Sequence, residues 1–182
     1  MIKKVIPFVH NKLKEIITQN DYVIDGTCGN GYDTLFLSRI AKKVYAFDVQ
    51  EVAIENTRER LHRNLRFNAD LILDSHENVD KYVDKEIKAA LFNLGYLPGS
   101  DKRVVTEGRS TIEAIKKTQE RLLPGGLICL TVYTGKFGGE EESNELLSYV
   151  RSLNHEEYNV IKYSYYNKSK APYIIIIEKQ HN

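Results

Sequence analysis

A short apolar run, Tyr22-Val23-Ile24-Asp25, opens directly into Gly26-Thr27-Cys28-Gly29-Asn30-Gly31 and then into a helix-like stretch over 32–41, where Leu35, Phe36, Leu37 and Ile40 are apolar. This feature constrains the fold more than any other. Glycine reaches backbone conformations closed to other residues and lets a main chain approach a ligand. A strand, a glycine loop and a helix in immediate succession read as the first half of a β-α-β crossover with a binding loop at its turn.

The alternation continues along the chain. A first helix is expected from Pro7 to about Thr18, with Pro7 in its first turn and Val9, Leu13, Ile16 and Ile17 near one face. Lys43–Asp48 reads as strand two, 51–62 as a helix with Val52, Ile54 and Leu61 inward, and Ala69–Leu73 as strand three. A weaker polar helix over 77–87 precedes strand four, Lys88–Asn93. Ser110-Thr111-Ile112-Glu113 has the form of a capping box, opening a helix with Ile112, Ile115 and Leu122 inward. Pro124-Gly125-Gly126 then turns the chain into strand five, Leu127–Tyr133. Glu140, Glu141 and Glu142 suit a helix N-terminus, and that helix is expected to reach Leu153. Two closing strands, Tyr158–Tyr166 and Tyr173–Glu178, break the alternation.

This order predicts an α/β fold: a mostly parallel seven-stranded sheet with an antiparallel edge and helices on both faces. The first strands are almost uniformly apolar, as a sheet covered on both faces requires. With 182 residues, one domain over 1–182 is expected, burying roughly 70% of the unfolded chain's surface.

Composition narrows the partners. Lys and Arg total 26 against 25 Asp and Glu, a net charge of +1, which excludes a polyelectrolyte tail and a broad nucleic-acid-binding coat but leaves room for local basic contacts. Two cysteines, Cys28 and Cys129, make neither a disulfide framework nor a metal-spaced pair. The apolar runs Leu127–Tyr133 and Ile174–Ile177 fall far short of a membrane span, and no signal peptide is evident. A cytoplasmic protein without metal or membrane attachment is expected.

In such a sheet ligands bind beyond the carboxyl ends of the strands, near the switch in strand order. Those ends carry Asp25, Asp48, Asp74 to His76, Asn93 and Tyr133. The loop after strand one has the spacing G-x-x-G-x-G behind an acid, not the G-x-G-x-x-G of a dinucleotide fingerprint. Asp48 suits hydrogen bonds from a ribose diol, which NAD and S-adenosylmethionine (SAM) both carry, and Gln50 follows where a side chain flanks ribose or base. His76 is the histidine at a strand end; His62, His155 and His181 read as surface residues and His10 as a helix or loop position. Tyr133, Lys136 and Phe137 lie in one glycine-containing stretch, and aromatics beside a cation can stack a splayed base and touch its phosphate. The tyrosines at 158, 163, 165, 166 and 173 suit strand packing or a homodimer face.

The acid-G-x-x-G-x-G loop resembles motif one of class I SAM-dependent methyltransferases. Asn93-Leu94-Gly95-Tyr96 partly resembles the Asn-Pro-Pro-Tyr motif of enzymes that methylate amino nitrogens, with both prolines replaced. Taken together, 25–34 (DGTCGNGYDT), 47–50 (FDVQ), Ser75-His76 and 92–102 (FNLGYLPGSDK) resemble the YtqB/MnmM family over about residues 5 to 178. That family comprises small bacterial class I methyltransferases associated with the tRNA wobble uridine. The resemblance implies a Rossmann-like fold, SAM as cofactor, and methylation of 5-aminomethyl-2-thiouridine in the tRNA anticodon stem-loop to its 5-methylaminomethyl form. Many members carry Tyr-x-Gly-His after strand five; here Lys136 replaces that histidine, whose role does not carry over.

On this reading SAM lies over Asn30 and Asp33, with Asp25, Thr27 and Gly29 in its binding loop, Asp48 and Gln50 on the nucleoside, and Ser75 and His76 near the adenine. The amine meets the methyl beside Asn93 and Tyr96, which with His76 form the expected catalytic set. Tyr133, Lys136 and Phe137 are the expected RNA contacts. An amine with a pKa near that of lysine costs roughly 4 kcal/mol to deprotonate near neutral pH; water, His76 and a carbonyl route through Asn93 all remain open as acceptors. A nicotinamide dehydrogenase, a methyltransferase for rRNA, glutamine or another amine, and a silent RNA-binding module are the competing readings.

Overall fold

The computed structural model describes residues 2–95, 108–134 and 139–181. In chain order the elements are α1 (Val5–Ile16), β1 (Tyr22–Asp25), α2 (Tyr32–Ile40), β2 (Lys43–Asp48), α3 (Glu51–Arg63), β3 (Ala69–Leu73), a 3₁₀ turn (His76–Asn78) running into the short α4 (Val79–Tyr82), β4 (Ile87–Leu94), α5 (Gly108–Arg121), β5 (Leu122–Val132), α6 (Gly139–Arg151), β6 (Tyr158–Tyr163) and β7 (Tyr173–Lys179). The sheet has seven strands in the order β3-β2-β1-β4-β5-β7-β6. Pairings among β1 to β5 are parallel, whereas β7 is antiparallel to both β5 and β6. The antiparallel strand is therefore inserted one place in from the edge.

Strand residues alternate between two cores with a period of two. Val23, Val44, Ala46, Ala89, Leu91, Cys129, Ile174 and Ile176 pack with Val5, Val9 and Leu13 of α1, Leu37 of α2 and Ile54 of α3. Ile24, Phe47, Ala90, Phe92, Leu94, Ile128 and Leu130 face the other way, onto Val79, Val83, Ala114, Ile115, Leu146 and Val150. Helices thus cover both faces, and the apolar character of both strand parities follows. Sheet order reverses between β1 and β4, so the loop after β1 and the end of β4 lie side by side.

Several local expectations are corrected. Helix α1 starts at Val5; Pro7 stays in the first turn, where its missing N–H costs nothing. Val52 is 57% exposed, and the buried stripe of α3 is Ala53, Ile54, Thr57 and Leu61. The helix expected over 77–87 shrinks to the turn and α4, because Val83 and Ile87 are drawn into the core as the chain straightens toward β4. Helix α5 begins at Gly108, ahead of Ser110, and the Glu113 carboxylate pairs with Lys116. Strand β5 begins at Leu122, not Leu127. Leu122 pairs with Ile87 and Leu127 with Ala89, so Pro124-Gly125-Gly126 forms an irregularity inside the strand pairing. A Cβ on Gly126 would lie 2.7 Å from the Leu123 carbonyl oxygen and 2.8 Å from that of Lys88. Helix α6 ends at Arg151 and β6 at Tyr163. Tyr163 stacks on Phe8 at 4.1 Å and Tyr173 is buried, so for these two tyrosines the expected strand packing is what the fold uses.

Candidate active site

Two neighbouring strands and one internal bond wire the loop after β1. Gly26 N–H donates to the Leu91 carbonyl of β4 at 2.8 Å, Cys28 N–H to that of Phe47 of β2 at 2.9 Å, and Gly31 N–H closes the turn onto the Cys28 carbonyl at 2.8 Å. Gly31 has φ 78°. A Cβ there would lie 2.8 Å from the Thr57 Cα, so the α2–α3 approach requires glycine as much as the turn does.

Asp25 is fully buried beneath this loop. Its carboxylate accepts from the Thr34 hydroxyl at 2.6 Å and from Thr27 N–H at 3.2 Å. Burial pushes its pKa up to about 7, with the nearby Asp33 adding to the rise and the Thr34 and Thr27 bonds opposing it. Asp25 therefore shapes the loop from below.

Asp48 caps β2. One of its oxygens accepts from Gly29 N–H at 3.0 Å and the other from Gln50 N–H at 3.0 Å. Burial raises its pKa and these backbone bonds oppose the rise. A carboxylate offers about four acceptor sites, so each oxygen retains capacity for a further donor. Gln50 precedes α3, and its side chain does not cap that helix. Asn30 turns toward α3: its side chain accepts from Asn56 at 3.1 Å and its carbonyl from Arg60 Nε at 2.6 Å. There it edges a cleft of about 280 Å³ that also includes Tyr32, Asn56, Arg60 and Arg63. The Arg60 guanidinium lies 3.6 Å above the Tyr32 ring.

Asn93 sits at the end of β4 with the parity of Ala89 and Leu91, and so faces α1 and α2. Its backbone N–H donates to the Thr27 hydroxyl at 2.6 Å, and its Nδ2 donates to Asp33 at 2.6 Å. The other Asp33 oxygen accepts from His10 Nε2 at 2.6 Å. Three buried side-chain atoms have no partner among the described residues: Asn93 Oδ1, Thr131 Oγ1 and His76 Nε2. Buried polar groups are normally satisfied, and two of these three lie on neighbouring strands, Asn93 on β4 at the switch point and Thr131 on β5 beside it.

His76 lies elsewhere. Its Nδ1 donates to the Gly26 carbonyl at 2.9 Å, its ring meets Phe92 edge-on at 5.4 Å, and burial depresses its pKa, so it is a neutral imidazole with its lone pair on Nε2. Phe92 and Asn93 point to opposite faces of β4, so the structure does not bring His76 and Asn93 together as an acid–base pair. Ser75 caps the 3₁₀ turn by accepting from Glu77 N–H at 3.4 Å. Tyr133 N–H donates to the Leu94 carbonyl at 3.2 Å, which holds the end of β5 beside β4. Tyr96, Lys136 and Phe137 lie outside the described residues. Among the described residues no cluster of three His, Cys, Asp or Glu side chains is arranged to hold a metal, and no helix is long and apolar enough to cross a membrane.

Sequence reasoning missed His10 and Thr131. His10 bonds to Asp33 across a separation of 23 residues, and nothing local signals that contact. Thr131 sits inside the apolar run of β5, where the strand pattern gives a threonine no special weight; its register partner on β4 is Asn93.

Comparison with known proteins bears on the family and the fold. Residues 44–179 match the family described as "Putative rRNA methylase". The chain is 32% identical to the chloroplastic tRNA (mnm(5)s(2)U34)-methyltransferase of Arabidopsis thaliana, with 99% of this chain and 71% of the relative covered. Among solved structures, a methyltransferase-family protein from Streptococcus mutans in complex with S-adenosylhomocysteine (SAH) superposes with a TM-score of 0.93 at 44% identity, covering 98% of this chain and 99% of the other. An rRNA-methylase-family protein from Clostridium thermocellum gives 0.94 at 36% identity, again covering 98% and 99%. The family match over most of the chain and the whole-chain relative show that the chain belongs to this methylase family, built on the class I methyltransferase fold.

Proposed function

We propose that the protein is a SAM-dependent N-methyltransferase that converts the 5-aminomethyl group of the tRNA wobble 2-thiouridine to 5-methylaminomethyl. The observation that carries this reading is the buried Oδ1 of Asn93, which has no partner among the described residues at the end of β4. The described residues fit the cofactor: Asp48 retains acceptor capacity for a ribose diol, and the Asn93 oxygen has the chemistry to accept an N–H. When bound, SAM supplies a methyl group already activated on a sulfonium.

The chain's task is then orientation. Asn93 Oδ1 accepts one N–H of the neutral amine and so turns the nitrogen lone pair outward. Thr131 Oγ1, next to it on β5, offers a second acceptor. Thr27 holds the Asn93 backbone against the loop after β1, so the two halves of the site move together. With His76 on the other face, water and the oxygens around Asn93 are the nearest routes for the amine proton. The RNA contacts we propose are Tyr133, Lys136 and Phe137 after β5. The name of the Arabidopsis relative, tRNA (mnm(5)s(2)U34)-methyltransferase, supports tRNA over rRNA as the substrate class.

The test is incubation of the purified protein with SAM and either tRNA bearing 5-aminomethyl-2-thiouridine or unmodified rRNA, followed by mass analysis of the nucleosides. One methyl group on the wobble amine is the expected product. Transfer to rRNA alone, or to a carbon or ribose oxygen, refutes the reading.

A further inference from the structure

Asp33 is gripped from two sides. His10 on α1 donates from Nε2 to one oxygen at 2.6 Å, and Asn93 on β4 donates from Nδ2 to the other at 2.6 Å. An ionised carboxylate only accepts hydrogen bonds. The Asn93 amide must therefore turn its NH₂ to Asp33 and its oxygen away, an orientation fixed by the network itself. Turned over, the amide would set its oxygen against the carboxylate and offer only donors to an amine.

The same reasoning fixes the proton on His10 Nε2. Its ring lies flat on Phe36, with centroids 3.8 Å apart and planes 2° from parallel. Phe36 and Asp33 both belong to α2, so the imidazole is held against the helix whose carboxylate it engages. Val9 and Leu13, on either side of His10 in α1, are buried against the sheet and fix the helix's position. The N-terminal helix thus reaches the strand-end amide through one intervening carboxylate.

We infer that His10 is a positioning residue for methyl transfer: through Asp33 it holds the Asn93 amide with Oδ1 turned to the substrate amine. This rests on the amine-directed reading proposed above, and the experiment separates the two.

The first arm needs no turnover. In ¹⁵N-labelled protein the Asn93 side-chain NH₂ signals, assigned by their loss in Asn93→Ala, shift in His10→Ala and return toward the parent position in His10→Gln, which restores an N–H donor. The second arm is kinetic. His10→Ala lowers kcat by about 10- to 100-fold, the scale of a slightly misplaced reacting group, and leaves KM for SAM unchanged; His10→Gln recovers most of the loss. Unmoved amide signals in His10→Ala, parent-like kcat in that variant, or a Gln variant as impaired as the Ala variant each overturn the inference. If the parent protein does not methylate the 5-aminomethyl tRNA, the proposed function fails, and the amide signals still decide the role of His10.

Discussion

Asn93 of β4 and Thr131 of β5 are register partners in a parallel pair, and each ends in a buried oxygen that has no partner among the described residues. Partners in a parallel pair share a face, so the two side chains are neighbours on the α1 side of the sheet. A primary amine has two N–H groups to place once its lone pair faces the methyl donor, and this pair of acceptors matches that need. Thr131→Val keeps the shape and removes the hydroxyl. We expect stability to be unchanged or higher by about 1 kcal/mol, because an unsatisfied buried hydroxyl is lost. Turnover should fall roughly tenfold, the equivalent of one hydrogen bond of about 1.4 kcal/mol. Denaturant titration and single-turnover methyl transfer read the two effects separately; loss of stability with full turnover would make Thr131 structural.

Asn93→Ala is expected to act more severely. It should lower turnover by roughly 10²–10³-fold, as for loss of one preorganised polar contact at a reacting centre, while SAM affinity measured by calorimetry changes little. Parent-like turnover would show that the amide does not orient the substrate.

Asp48→Ala should give the opposite split. It removes the carboxylate at the end of β2 together with its hold on Gly29 N–H, and charge-assisted bonds of this kind contribute roughly 1.5–3 kcal/mol each. SAM affinity should drop on the order of 10²-fold. NAD should give no calorimetric signal with either protein, and NAD binding without SAM binding would overturn the cofactor assignment.

Asp25 predicts a pH dependence of stability. Burial raises its folded-state pKa to about 7 from an ordinary 3.8. Between those values the folded chain keeps a proton that the unfolded chain has released, so stability falls as pH rises through this window and levels off above about pH 7. The gap corresponds to roughly 4 kcal/mol at most. His76 works in the other direction: its depressed pKa contributes stability above about pH 6.5 that is lost on acidification. Comparing the parent with Asp25→Asn isolates the first effect. The difference between them should change in the asparagine variant's favour from pH 4 to pH 7, and a constant difference would refute the buried-acid account.

Gly31→Ala should destabilise by roughly 2–4 kcal/mol, from the cost of a left-handed conformation plus overpacking against α3. The backbone φ of 78° and the 2.8 Å approach of a Cβ to Thr57 Cα make these two separate penalties. Chemical denaturation measures the loss, and a variant as stable as the parent would show that the loop relaxes without resistance.

The sequence by itself determined the alternation of strands and helices and the place of the ligand loop. Those signals are local: the apolar runs of β1 to β4, the glycine spacing after Asp25, and the acid at the end of β2. It misjudged the stretch after His76 and the start of β5, where Val83, Ile87 and Leu122 are pulled into the common core against weak local preferences. Only the tertiary structure decided how the site is wired. Strand order reverses between β1 and β4, and this reversal brings Thr27 to Asn93, while strand parity turns Asn93 toward Asp33 and away from His76. His10 read as an unremarkable helix position because its partner lies in α2, and the packing of α1 across the sheet is what joins them. Hydrogen bonds between residues far apart in sequence leave no periodicity behind them, so the fold was legible from pattern and the orientation of its polar atoms was not.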